Sequence, residues 1–135
     1  MKLRIPLLSS VLIVALASGS DVMGYYSGGT TGGTMATTTI KGTLNATVGP
    51  GFTITLKRPS GVVVTSLKAG TWKIVVDDKS RVHNFHLTGP GSVNRATAVA
   101  KIIKVTWTVT VKPGTYTYKC DPHPTSMKKT FKVIA

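Results

Sequence analysis

From about residue 39 onward, apolar and polar side chains alternate with a period of two, and no apolar spacing of three or four persists beyond a turn or two. Thr43 to Val48 and Phe52 to Leu56 flank Gly49-Pro50-Gly51, which reads as a turn between two strands. Ser60-Gly61 leads into Val62 to Val64, and Ala69-Gly70 leads into a strand in which Trp72, Ile74 and Val76 share one face. His83 to Thr88 is the next strand, stopped by Gly89-Pro90-Gly91. Residues 94–104 are looser and are expected to hold a helical turn. The clearest alternation follows, with Val105, Trp107, Val109 and Val111 on one face and Thr106, Thr108 and Thr110 on the other. Lys112-Pro113-Gly114 is a turn, Tyr116 to Cys120 alternates again, and Thr130 to Val133 closes the chain. Seven or eight short strands punctuated by glycine and proline predict an all-β fold, an antiparallel β-sandwich.

Strand parity also sorts the side chains that carry chemistry. Tyr116, Tyr118 and Cys120 share a face, so core tyrosines imply an inward thiol at the end of their strand. His83, Phe85 and Leu87 share a face in the same way, and the two apolar members identify it as the core side. His86 falls on the opposite face and is expected at the surface or rim. If the two strand ends lie at one pole of the sandwich, His83, Cys120, His123 and Met127 gather there. Trp72, Trp107, Tyr116 and Phe131 read as core aromatics, with Tyr116 a tyrosine corner after Pro113-Gly114. Asp77-Asp78, followed by Lys79-Ser80, reads as a turn.

The N-terminus changes the picture of where the sandwich works. Lys2 and Arg4 precede an apolar run from Leu7 to Leu16, and Ala15-Leu16-Ala17 is a small-x-small cleavage sequence, so residues 1–17 read as a secretory signal peptide. The run is shorter than the roughly 20 residues that a membrane-spanning helix needs. Residues 18–38 are rich in glycine and threonine and read as a flexible tether, which leaves 39–135 as the folded domain. The expected location is periplasmic or extracellular, after cleavage near Ala17.

Charge narrows the partners. The 135-residue chain carries 17 Lys and Arg against four acidic residues, all aspartate, and removal of Lys2 and Arg4 leaves 15 against four, a net +11. Such a surface steers acidic partners or loosely holds anionic membrane or wall polymers. Export and the single spacing of the basic residues argue against nucleic acid.

The candidate chemistry is concentrated in Cys120-Asp121-Pro122-His123-Pro124-Thr125-Ser126-Met127. Cys120 is the chain's sole cysteine, so it forms no intramolecular disulfide. Thiolate and thioether favour Cu(I) while imidazole also suits Cu(II), so two histidines, a cysteine and a methionine form the donor set of an electron-transfer copper site. Structural zinc prefers four strong nitrogen or sulfur ligands and accepts methionine poorly.

The string Gly114-Thr115-Tyr116-Thr117-Tyr118-Lys119-Cys120-Asp121-Pro122-His123, with the downstream methionine and the upstream His83-Asn84, resembles the cupredoxins, the small blue copper proteins that include plastocyanin, pseudoazurin and amicyanin. The resemblance covers residues 39–135. It implies a Greek-key sandwich with one type 1 copper ion at a pole, Cys120 as thiolate ligand, His83 and His123 as equatorial imidazoles, and Met127 as axial ligand. It further implies that Asn84 tethers the cysteine loop by hydrogen bonds and that His123 is the electron's exit. Three residues separate His123 from Met127, where plastocyanin-like loops have four and the amicyanin loop two.

The function so implied is electron transport between redox partners, by a monomer that is not an enzyme, since protein side chains fill the coordination positions. The basic surface points to an acidic redox partner. Copper delivery or storage with the same ligands, and a metal-free sandwich that adheres to anionic surfaces, are the alternative readings.

Overall fold

A computed structural model describes residues 35–135, and the signal peptide and most of the tether expected from the sequence lie outside them. Thr38–Ala135 is one compact unit of nine strands, with no helix among the described residues. The strands are β1 (Ile40–Val48), β2 (Ile54–Lys57), β3 (Ser66–Lys68), β4 (Gly70–Asp78), β5 (His86–Gly89), β6 (Val93–Ala96), β7 (Ile103–Val111), β8 (Gly114–Lys119) and β9 (Lys128–Ile134).

They form two sheets, ordered β2-β1-β4-β7 and β3-β9-β8-β5-β6. After the β1–β2 hairpin the chain crosses to the second sheet for β3, returns for β4, crosses for β5–β6, returns for β7 and crosses once more for β8–β9. These crossings make the β1–β4 and β3–β9 pairings parallel, while the other pairings are antiparallel. The all-β sandwich therefore stands, with mixed sheets in place of purely antiparallel ones.

Alternation explains the interior. Leu44, Ala46 and Val48 of β1, Ile74 and Val76 of β4, and Trp107, Val109 and Val111 of β7 are buried on the inner face of the first sheet. Leu87 of β5, Tyr116 and Tyr118 of β8, and Phe131 and Val133 of β9 meet them from the second. Two ring stacks lie within that layer, Phe85 on Tyr118 at 5.4 Å and Tyr116 on Phe131 at 5.3 Å between centroids. Such pairs add about 0.5–1.5 kcal/mol beyond the area they bury. Tyr116 also closes a corner, because its hydroxyl donates to Pro90 O and accepts from Lys112 N–H, each at 2.9 Å. Its ring lies directly over the main chain of Gly89, leaving no room there for a Cβ.

Four departures from the sequence pattern have local causes. Val62 to Val64 is no strand: a single bridge joins Val63 to Lys57, and only Val64 is buried. Ser66–Lys68 and Val93–Ala96 are strands instead, the second occupying the segment read as loose. The helical turn expected within 94–104 does not form, and that stretch completes β6 and begins β7. Asp77 and Asp78 end β4 rather than making a turn, and Asp78 is fully buried.

Candidate metal centre

Two chain segments bring the donors to one pole. The first runs from the end of β4 to the start of β5. There His83, Asn84 and Phe85 are all buried but lie just before the β5 ladder, and His86 opens the strand half-buried on its outer face. Asp78 anchors this segment: it accepts from Ser80 N–H at 3.2 Å and from the Thr97 hydroxyl at 2.6 Å, while Thr97 Oγ1 accepts Phe85 N–H at 2.9 Å. Burial raises the Asp78 carboxyl above its ordinary range despite the bonds from Thr97 and Ser80. Gly49 packs against the same segment at a positive φ of 73°, where a Cβ would lie 2.7 Å from Ser80 Cβ.

The second segment is the loop between β8 and β9. Cys120 is buried just past the end of β8, two residues after Tyr118, whose hydroxyl is buried facing the Leu56 main chain without hydrogen-bond geometry; burial pushes that phenol upward. The loop is closed by its own main chain. His123 N–H donates to Cys120 O at 3.1 Å, Met127 N–H to His123 O at 3.0 Å, and Cys120 N–H to Met127 O at 2.9 Å. Met127, 1% exposed, is thereby fixed at the loop's end within the core cluster.

His83, Cys120 and His123 meet between these segments. His83 Nδ1 and His123 Nδ1 are 3.0 Å apart, and Cys120 Sγ lies 3.6 Å from the first and 3.5 Å from the second. A point equidistant from the three atoms is about 2.0 Å from each, against about 2.0–2.1 Å for a metal–imidazole bond and about 2.3 Å for a metal–thiolate bond. The triangle therefore has the size of a trigonal metal site, and two nitrogens with one soft sulfur are a donor set suited to copper. Among the described residues this is the one cluster of at least three histidine, cysteine or acidic side chains with ligand atoms so close together. His86 is not in it. Its Nδ1 lies 2.8 and 2.9 Å from the two Asp121 oxygens, and its Nε2 lies 2.8 Å from Asn94 Oδ1.

Asn84 links the two segments. Its Oδ1 accepts Asp121 N–H at 2.7 Å, and its Nδ2 donates to Asp121 Oδ2 at 2.9 Å and to Thr97 O at 3.2 Å. Asp121 also accepts from Lys119 Nζ at 2.6 Å. Partial burial would raise the Asp121 carboxyl, but the bonds from Lys119, Asn84 and His86 outweigh it and hold the group well below the usual carboxylate range.

Phe52 and Asp121 have places here that the sequence pattern did not assign. Phe52 sits in the Gly49–Thr53 loop, 66% exposed, with its ring edge-on to both His83 (5.2 Å) and His123 (4.9 Å). An aromatic in a Gly-Pro-Gly-Phe turn, too early for the strand it was counted in, was the available signal. For Asp121 the signal was an acid between the thiol and a proline with Lys119 two residues upstream.

No protein-family model matches the sequence, and no curated protein matches it. Among solved structures, a methionine-to-glutamine mutant of rusticyanin aligns with a TM-score of 0.51 at 18% identity, covering 71% of this chain and 80% of that one. Rusticyanin from Thiobacillus ferrooxidans aligns with a TM-score of 0.48 at 19% identity, covering 71% and 79%. At such identity the likeness is one of fold, and rusticyanin is a cupredoxin.

Proposed function

Starting from a cupredoxin-like fold with a His-Cys-His cluster at one pole, we propose that this protein is a blue copper electron carrier. His83, Cys120 and His123 are the equatorial ligands of one type 1 copper ion in this reading, and Met127 is the axial ligand. Copper held there supplies one-electron chemistry by cycling between Cu(I) and Cu(II). The observation that carries the reading is the triangle of His83 Nδ1, Cys120 Sγ and His123 Nδ1, with sides of 3.0–3.6 Å.

The chain's own residues do three things for such a site. Asn84 and the loop's internal hydrogen bonds hold the donors in place, so that little rearrangement accompanies a change of oxidation state. Burial of His83, Cys120 and Met127 keeps solvent and substrates from the donor atoms, which suits a carrier rather than an enzyme. His123 is half-buried and offers a path to the surface beside the exposed Phe52 ring. The excess of lysine and arginine steers the domain to an acidic redox partner, and export through the N-terminal signal places that encounter outside the cytoplasm.

Adding Cu(II) to metal-free protein tests this. An intense thiolate-to-copper absorption band with a type 1 paramagnetic resonance spectrum, both lost in Cys120→Ser, is expected, and a colourless mixture overturns it. Loss of the axial signature in Met127→Leu is expected as well, and an unchanged spectrum removes Met127 from the ligand set. Copper uptake without a reversible couple would indicate delivery or storage instead.

A further inference from the structure

His86 is held from both sides, and each side belongs to a different element. On β6, the edge strand, Asn94 Oδ1 lies 2.8 Å from His86 Nε2. On the ligand loop, both Asp121 oxygens lie within 2.9 Å of His86 Nδ1. Both ring nitrogens thus face oxygen acceptors, and only the imidazolium donates to both at once. Beyond Asp121 the line continues to Asn84, which takes the Asp121 N–H and donates to its carboxylate. The residue between Cys120 and Pro122 is therefore clamped at its main chain by Asn84 and at its side chain by His86.

We propose that His86 is a positioning residue of the metal centre: through Asp121 it braces the loop that carries Cys120, and its positive charge offsets the Asp121 carboxylate beside the thiolate. The proposal rests on the copper reading for its electrochemical half only. The charged groups facing His86 are Asp121 from the ligand loop and Lys119, its cross-strand partner on β8; from β6 it meets the neutral Asn94. Without the imidazolium, Asp121 keeps Lys119 as its single cationic partner, and the surroundings of Cys120 become one unit more negative. A more negative surrounding favours the oxidised metal, so the reduction potential falls. Without the ring, the loop also loses one charge-assisted hydrogen bond that resists its opening.

The full chain with His86→Ala, His86→Lys and Thr88→Ala separates these effects, Thr88 being another half-buried residue of β5 outside the network. In metal-free protein, maleimide labelling of Cys120, which is fully buried in the closed loop, is expected to run roughly tenfold faster in His86→Ala and unchanged in Thr88→Ala. Unchanged labelling in His86→Ala overturns the brace. In copper-loaded protein, His86→Ala is expected to keep the thiolate-to-copper band while its potential at pH 6 falls, and His86→Lys, which restores a cation beside Asp121, is expected to recover the potential. An unchanged potential in His86→Ala, or no recovery in His86→Lys, overturns the charge offset. Loss of the band in His86→Ala makes His86 a ligand and overturns the proposal as a whole. A chain that takes up no copper refutes the copper reading, while the labelling arm still decides the brace.

Discussion

Asn84 is where the two halves of the site can be uncoupled without touching a donor atom. Replacing it with alanine removes the acceptor for Asp121 N–H at 2.7 Å, a donor to Asp121 Oδ2 at 2.9 Å and a donor to Thr97 O at 3.2 Å. Two of these are bonds between neutral groups, each contributing about 1 kcal/mol net, and the third, to a carboxylate, contributes about 1.5–3 kcal/mol. Asp121 is partly exposed and regains water when Asn84 is gone, so the expected loss is about 3 kcal/mol. That is a large share of the 5–15 kcal/mol that holds an ordinary domain together. In a domain of about one hundred residues it corresponds to a fall in Tm of about 12–20 °C. Urea and thermal unfolding of metal-free protein, followed by far-ultraviolet circular dichroism, measure it. Asn84→Asp is the sharper variant, because it keeps the acceptor and the volume but sets a second carboxylate against Asp121. Its deficit is expected to exceed that of Asn84→Ala at neutral pH and to shrink on acidification. A loss below about 1 kcal/mol in Asn84→Ala, with an unchanged denaturant slope, would refute the claim that Asn84 joins the segments energetically.

Tyr116→Phe removes a hydroxyl that both donates to Pro90 O and accepts from Lys112 N–H, and should cost about 2–3 kcal/mol in urea unfolding while leaving any copper spectrum unaltered. Gly89→Ala drives a methyl group into the Tyr116 ring and should cost about 3 kcal/mol by the same measurement, through overpacking rather than backbone strain. The Asp121 carboxyl is depressed in the folded state, so the stability it contributes is complete above its unfolded pKa of about 3.9 and is lost as pH falls below that value. Metal-free wild type should accordingly be more stable than Asp121→Asn near neutrality and converge with it in acid; parallel stability curves from pH 7 to pH 2 would contradict the depression.

What the sequence disclosed followed burial. Strands with one wet and one dry face carry the alternation that locates them, which is why β4, β7 and β8 were legible to within a residue or two. The strands that escaped, β3 and β6, are the two edges of the five-stranded sheet. β3 is three residues long with Leu67 as its one buried side chain, and β6 reads Val-Asn-Arg-Ala with no fully buried side chain, so neither repeats a core position often enough to leave a pattern. Short polar edges also discourage pairing with other chains, so their illegibility has a physical use. Parity separated His83 from His86 although His83 stands outside the ladder: His83, Phe85 and Leu87 are buried and His86 is half-buried, while Asn84 between them is buried through its bonds to Asp121 and Thr97. The parallel pairing of β1 with β4 leaves no trace in either strand's own periodicity, since it is set by where the crossings land. Phe52 and Asp121 act through long-range contacts, so the local signals at the Gly-Pro-Gly-Phe turn and beside Cys120 mark the residues without naming their partners.

The interval between His123 and Met127 acquires a reason from the loop's hydrogen bonds. Three intervening residues make the pair i and i+4, the spacing at which Met127 N–H reaches His123 O to close a single helical turn. That turn stacks on the tighter one from Cys120 O to His123 N–H, and the Cys120 N–H to Met127 O bond then joins the loop's two ends. A loop one residue shorter or longer loses the middle bond and frees the position of Met127 relative to the two donors of the same loop. Within this chain, therefore, the departure from the loop lengths of plastocyanin-like proteins and amicyanin is the length at which the segment fixes Cys120, His123 and Met127 by its own main chain. Asn84, the residue after His83, and Asp121, the residue after Cys120, then join that loop to the His83 segment.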